Sequence, residues 1–129
     1  MHVFPLALWV AVAGALGTLC RFAANRAALA LLPHQLPLAT LAVNATGCLL
    51  FGVAASLLPL PSPWRIVVLS GFLGAFTTFS AYVFEADALA RQAGGLPVAL
   101  GYLALQNGLG FAALWAGATL GGRLLGKAA

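Results

Sequence analysis

Charged positions in this chain are few, and long stretches carry none. Between Ala27 and Trp64 there is no Lys, Arg, Asp or Glu for 38 residues, and between Gln92 and Gly122 there is none for 31. A third uncharged stretch, Ile66 to Phe84, covers 19 residues. A helix needs about 20 apolar residues to cross a bilayer. These stretches and the apolar N-terminal run therefore predict four spans, at 4–31, 38–58, 65–92 and 97–121. Turn formers separate them: Leu32-Pro33-His34-Gln35-Leu36-Pro37, then Pro59-Leu60-Pro61-Ser62-Pro63, then Gly94-Gly95-Leu96-Pro97. The expected fold is one all-α transmembrane domain over residues 1–129, with a break in its third helix.

Composition agrees with the pattern. The chain is 63% hydrophobic and 6% charged, where a soluble domain carries about 25% charged residues. It cannot cover a water-facing surface, so the lipid bilayer is its solvent, and a multi-pass place in the cell (inner) membrane is expected. The first span has no Lys or Arg ahead of a long apolar run, which does not match a removable signal peptide. The net charge of +4 comes from basic residues scattered along the chain. They form no patch suited to nucleic acid, and the surplus suits anionic headgroups. Cys20 and Cys48 both fall inside predicted spans, where small buried packing residues are the expectation and metal ligands too few.

Charge also bears on orientation. With four spans, Arg65, Arg123 and Lys127 lie on one side of the membrane. Arg26 and Arg91 lie on the other, with Arg21 deeper in the first span. Orientation follows an excess of Lys and Arg on the cytoplasmic side, and here the excess almost vanishes. Two readings fit: a bias too weak to see, or dual topology, in which copies insert both ways and pair antiparallel about an axis in the membrane plane. Four helices are too few to enclose a pore, so an oligomer is expected either way.

The polar residues inside the spans carry the functional information, because unsatisfied polar groups are costly in lipid. The third span holds Gly71 and Gly74, then Thr77, Thr78 and Ser80. Close helix packing with hydroxyls bonded back to the backbone is one reading. The other is a helix unwound at Gly74 to Thr78, with backbone groups freed at mid-membrane for an ion. Phe79 and Tyr82, three residues apart, share a face if the helix resumes. Ordinary lipid-facing or core aromatics are one reading; in the other, their positive ring edges line an anion's path. Asn44, mid-span with Thr40 one turn away, is either helix glue or an amide donor to an ion. Tyr102 and Gln106 make a polar line on the fourth span, from which Asn107 points away, while Gly117 and Gly121 make a small-residue packing face. Arg21 and Glu85 are either end charges or partners of one another, and a structural or vestibule role is expected for both.

Absences narrow the class. No Gly-rich phosphate loop, His/Cys cluster or nucleophile triad is present, His2 and His34 fall in the tail and a loop, and no enzymatic activity is expected. The alternative reading is a small dual-topology multidrug or cation exporter. It calls for a carboxylate within the membrane, and the first, second and fourth spans hold none.

The motifs Gly14-x-x-Gly17-x-x-x-Arg21, Thr40-Leu41-x-Val43-Asn44-x-x-Gly47, and Gly71-x-x-Gly74 followed by Thr77-Thr78-Phe79-Ser80-x-Tyr82-x-x-Glu85 resemble the Fluc/CrcB family of fluoride channels. The likeness runs in order over three spans. It implies a passive fluoride exporter, assembled as an antiparallel homodimer with two pores along the interface. It further implies a central structural Na⁺ held by the backbone carbonyls of Gly74 and Thr77. The implied pore lining is Asn44, Phe79, Tyr82, Thr78, Ser80, Tyr102 and Gln106. The chain departs from that family at Tyr82, where Phe is usual, at Gln106 and Gly110, where serines are common, and at Ala39, where Gly is usual. Some relatives work as pairs of unlike subunits, and Tyr82 keeps an unlike paralogous partner open.

Overall fold

The computed structural model describes residues 3–31 and 36–126, and every regular element in them is helical. His2, His34, Gln35 and Lys127 lie outside the described residues. Four helices are long and apolar enough to cross a membrane: Phe4–Leu31, Pro37–Leu57, Pro63–Ala90 and Leu96–Leu124. The first is α1 (Val3–Leu31), the second α2 (Leu36–Leu57) and the fourth α6 (Leu96–Leu124). The third is a composite of α3 (Pro63–Ile66), a wide π-helical stretch Val67–Leu73, α4 (Gly74–Phe76) and α5 (Phe79–Ala90).

The helices come together through small residues, as expected where lipid supplies no hydrophobic drive for association. Gly52 of α2 lies against the Leu114 carbonyl of α6, and Gly117 of α6 lies against the Leu49 carbonyl of α2. A Cβ at either glycine would overlap the facing backbone, so the two helices touch main chain to main chain. Ser56 ties the same seam, donating to the carbonyls of Gly52 (3.1 Å) and Ala118 (3.0 Å). Gly17 of α1 meets the Phe72 carbonyl in the π stretch, which gives the first-span glycine spacing a packing role.

Helix ends need partners in an apolar medium. Arg65, counted in the sequence only as a loop charge, supplies one set. Its guanidinium donates to the carbonyls of Ala55 and Leu58 (2.7 Å to the latter) and so caps the C-terminus of α2. Pro63 at the start of α3 lacks the N–H that a first helical turn leaves unbonded. Beside it the Trp9 and Trp64 rings meet at 5.7 Å, the kind of aromatic pair that sits at a membrane–water boundary.

The third helix breaks, but at Thr77–Thr78 and not across Gly74 to Thr78. Gly74 keeps helical angles (φ −63°, ψ −33°), whereas Thr77 (φ −80°, ψ 160°) and Thr78 (φ −145°, ψ 119°) are extended. The Thr77 N–H still completes its helical bond to the Leu73 carbonyl at 3.0 Å, and from Thr78 onward side chains take the backbone groups. Thr77 Oγ1 donates back to the Leu73 carbonyl at 3.1 Å. Thr78 acts as N-cap of α5, its Oγ1 accepting the Ala81 N–H at 3.3 Å. Gly74 has no side chain with which to compete.

Candidate functional site

The break is held open by α2. Asn44 Oδ1 accepts the Thr78 N–H at 2.8 Å, and Asn44 Nδ2 donates to the Thr78 carbonyl at 3.0 Å. One side-chain amide thus satisfies both backbone groups of an extended residue that would otherwise be unpaired in a buried place. Gly47, one turn on, lets α2 come this close: a Cβ there would overlap the Thr77 methyl.

From Asn44 a line of buried hydrogen bonds runs through α6 to α5 and back to α2. Asn44 Nδ2 donates to Gln106 Oε1 (3.3 Å), and Gln106 Nε2 donates to the Tyr102 hydroxyl (2.7 Å). Tyr102 donates to Glu85 Oε2 (2.6 Å), and Thr40 donates to Glu85 Oε1 (2.6 Å). The Pro37 carbonyl lies 3.2 Å from the Tyr102 hydroxyl as a second acceptor. Thr40, Asn44, Thr78, Glu85 and Gln106 are all buried, Thr40 to 1% exposure. Donors point toward Glu85 from both ends, so the carboxylate receives two short O–H bonds, the strong kind when the acceptor is charged.

Of the alternatives open for Glu85 and Arg21, two drop out. Glu85 is not an end charge, and the two residues do not pair. Among the described residues the one ion pair is the exposed Arg91–Asp87 contact at 2.7 Å. Arg21 borders a separate depression of about 210 Å³ with Thr18, Phe22, Asn25, Thr78 and Ala81. Thr78 borders this depression as well as the cleft at the break.

A cleft of about 340 Å³ opens against the break, and Asn44, Thr77, Thr78, Phe79, Tyr82 and Gln106 all contribute to its wall. The Phe79 and Tyr82 rings meet edge to face, with centroids 5.1 Å apart. Tyr82 is buried at 7% exposure, while Phe79 is 72% exposed on the single chain. The remaining predicted residues divide. Tyr102 lies behind Gln106 and reaches the cleft only through it. Ser80 is exposed and does not contribute to the wall. Asn107 makes no bond to the Tyr102–Gln106 line; it rims the cleft, its amide donating to the Leu103 carbonyl at 2.7 Å. Cys48 also borders the cleft, and Cys20 is exposed on the single chain rather than buried. Sequence reasoning missed the Thr40–Glu85 contact. Its signal was a hydroxyl and a carboxylate, each one turn or two from a flagged residue on the same helix.

Four membrane-competent helices around a break define a small multi-pass membrane protein, with a cleft in which a few amides and hydroxyls stand among apolar side chains. The family model "CrcB-like protein, Camphor Resistance (CrcB)" matches residues 8–118, and the chain belongs to that family. Curated relatives named fluoride-specific ion channel FluC cover nearly its whole length. That of Deinococcus radiodurans is 44% identical over 94% of this chain and 98% of its own. That of Maridesulfovibrio salexigens is 39% identical over 94% and 96%, and that of Acidobacterium capsulatum 38% over 92% and 97%. No solved structure gives a significant match.

Proposed function

We propose that this chain is a fluoride-selective channel that exports fluoride from the cell by passive, electrodiffusive flow across the inner membrane. The observation that carries the reading is the Asn44–Thr78 clamp at a mid-span break, facing a cleft with Phe79 and Tyr82. The names of the relatives supply the ion.

Fluoride is small and strongly hydrated, so it enters only where donors replace its water, and it leaves only if none holds it too tightly. Asn44 and Gln106 amides, the Thr78 hydroxyl, and the ring edges of Phe79 and Tyr82 are neutral donors of that kind. Tyr102 continues the line toward Glu85. Arg21, in its own depression beside Thr78, draws anions toward the entrance.

One chain presents a wall and not a tunnel. A second copy, inserted the other way and paired antiparallel, closes two pores at the shared interface, and the exposed Phe79 ring then lies between subunits. The near-equal loop charges favour this dual topology. A homodimer is the simpler assembly, with an unlike paralogous subunit the variant.

The residues at the break fit a structural Na⁺. In a continuous helix the N–H groups of Thr78 and Ala81 would bond to the carbonyls of Gly74 and Thr77, four residues back. Here both N–H groups go to side chains, Asn44 Oδ1 and Thr78 Oγ1. The Gly74 and Thr77 carbonyls are thereby released from those helical bonds, and oxygen ligands suit a hard cation. When bound, Na⁺ would offset repulsion among carbonyls converging from two copies. Fluoride release from liposomes that hold the purified chain alone tests the reading.

A further inference from the structure

The geometry of Gln106 makes it a two-position element. It is buried at 5% exposure, with its amide oxygen toward Asn44 and its amide nitrogen toward Tyr102. That orientation is dictated from one end. The Thr78 backbone fixes Asn44, because only Oδ1 can accept the N–H and only Nδ2 can donate to the carbonyl. The remaining Nδ2 proton points at Gln106 and requires an oxygen there. The Asn44–Gln106 contact, 3.3 Å, is the longest in the line from Thr78 to Thr40.

Rotation of the Gln106 amide by half a turn exchanges its two ends, and the terminal amide torsion is a soft one. The flipped oxygen then accepts the Tyr102 proton. The flipped nitrogen faces Asn44 Nδ2, donor against donor, which is unfavourable when nothing lies between. A small anion between them reverses the sign, since both N–H groups then converge on it. The place is accessible, because both side chains contribute to the wall of the 340 Å³ cleft.

We propose that Asn44 and Gln106 form a two-amide site for a small, charge-dense anion, assembled by a flip of the Gln106 amide that the anion itself stabilises. The inference rests on the channel reading and deepens it: Gln106 Oε1 holds the anion's place on Asn44 until the anion arrives. The flip also redirects the Tyr102 hydroxyl's hydrogen bond from Glu85 to Gln106, so anion entry is felt at the far end of the polar line.

The test uses the full chain in liposomes and in detergent. Gln106→Leu has no donor, and Gln106→Glu keeps an oxygen for Asn44 but offers no N–H. Both are expected to slow fluoride efflux at least about tenfold, equivalent to ~1.4 kcal/mol. In wild-type protein labelled with ¹⁵N, sodium fluoride added at constant Na⁺ is expected to shift the side-chain amide signals of Asn44 and Gln106 together, and sodium chloride is not. Efflux from either variant at the wild-type rate overturns the inference. So does a fluoride titration that moves Asn44 and leaves Gln106 still, a readout that stands even where a variant fails to fold. Wild-type protein that passes no fluoride contradicts the channel reading itself, whereas wild-type efflux with unslowed variants contradicts the flip alone.

Discussion

Asn44 faces Thr78 as one peptide group faces another across a sheet, giving an acceptor to its N–H at 2.8 Å and a donor to its carbonyl at 3.0 Å. The pair converts a helix interruption from a liability into a fixed feature. Without Asn44 the extended Thr78 backbone has no partner in a medium that supplies none.

Asn44→Leu therefore leaves two buried backbone groups unpaired, at about 1–3 kcal/mol for each. The variant is expected to unfold in detergent at a clearly lower temperature than wild type. Asn44→Asp keeps the acceptor for the Thr78 N–H but lacks the donor, and is expected to fall between the two. Equal melting of all three proteins would remove the clamp.

Thr40 and Tyr102 both donate to the Glu85 carboxylate. Each of Thr40→Val and Tyr102→Phe withdraws one donor from a buried charge and is expected to cost about 1.5–3 kcal/mol. Two donors on one acceptor are coupled, so the double variant is expected to depart from the sum of the singles by ~0.5 kcal/mol or more. Strict additivity in a double-mutant cycle would show that the two contacts act independently.

How much of this was readable beforehand depends on the physical signal. The spans were legible because a bilayer demands long uncharged runs, and Ala27 to Trp64 is one. The break was legible as hydroxyls in the wrong solvent. Its exact seat was not, because glycine content suggests looseness, while the deciding factor is which side chain bonds to which backbone group. Thr77 reaching Leu73, and Thr78 capping Ala81, are local facts a pattern does not rank. The partners of Glu85 are hidden from the pattern for a related reason. A carboxylate near the end of a span looks like an end charge until the partner helices bring Thr40 and Tyr102 to it. Arg65 was similar, a loop charge by tally and a helix cap by geometry.

Phe79 is 72% exposed on the single chain, so trimming it removes little packing within the subunit. Phe79→Ile is expected to leave the subunit folded and to reduce fluoride flux about tenfold or more, the equivalent of ~1.4 kcal/mol in transit. Size-exclusion chromatography and an efflux trace on the same preparation check both halves. Wild-type flux would take the ring edge out of the pathway.

If the Gly74 and Thr77 carbonyls ligate a structural Na⁺ as proposed, replacing Na⁺ with a large organic cation is expected to weaken the dimer or its flux, because the converging carbonyls would lose the ion that offsets their repulsion. Gly47→Ala, which places a methyl against Thr77, is expected to need more Na⁺ for the same effect, since it shifts the backbone that carries one of the two carbonyls. A dimer and a flux indifferent to Na⁺ would remove the cation from the assembly.

The central claim is tested most directly by ion-selective electrodes on liposomes that contain only this chain. Loaded with equal fluoride and chloride and given a potassium ionophore for charge balance, they are predicted to release fluoride rapidly and hold their chloride, with no ATP and no proton gradient. Equal release of the two anions, or no fluoride release from correctly folded protein, would contradict the account.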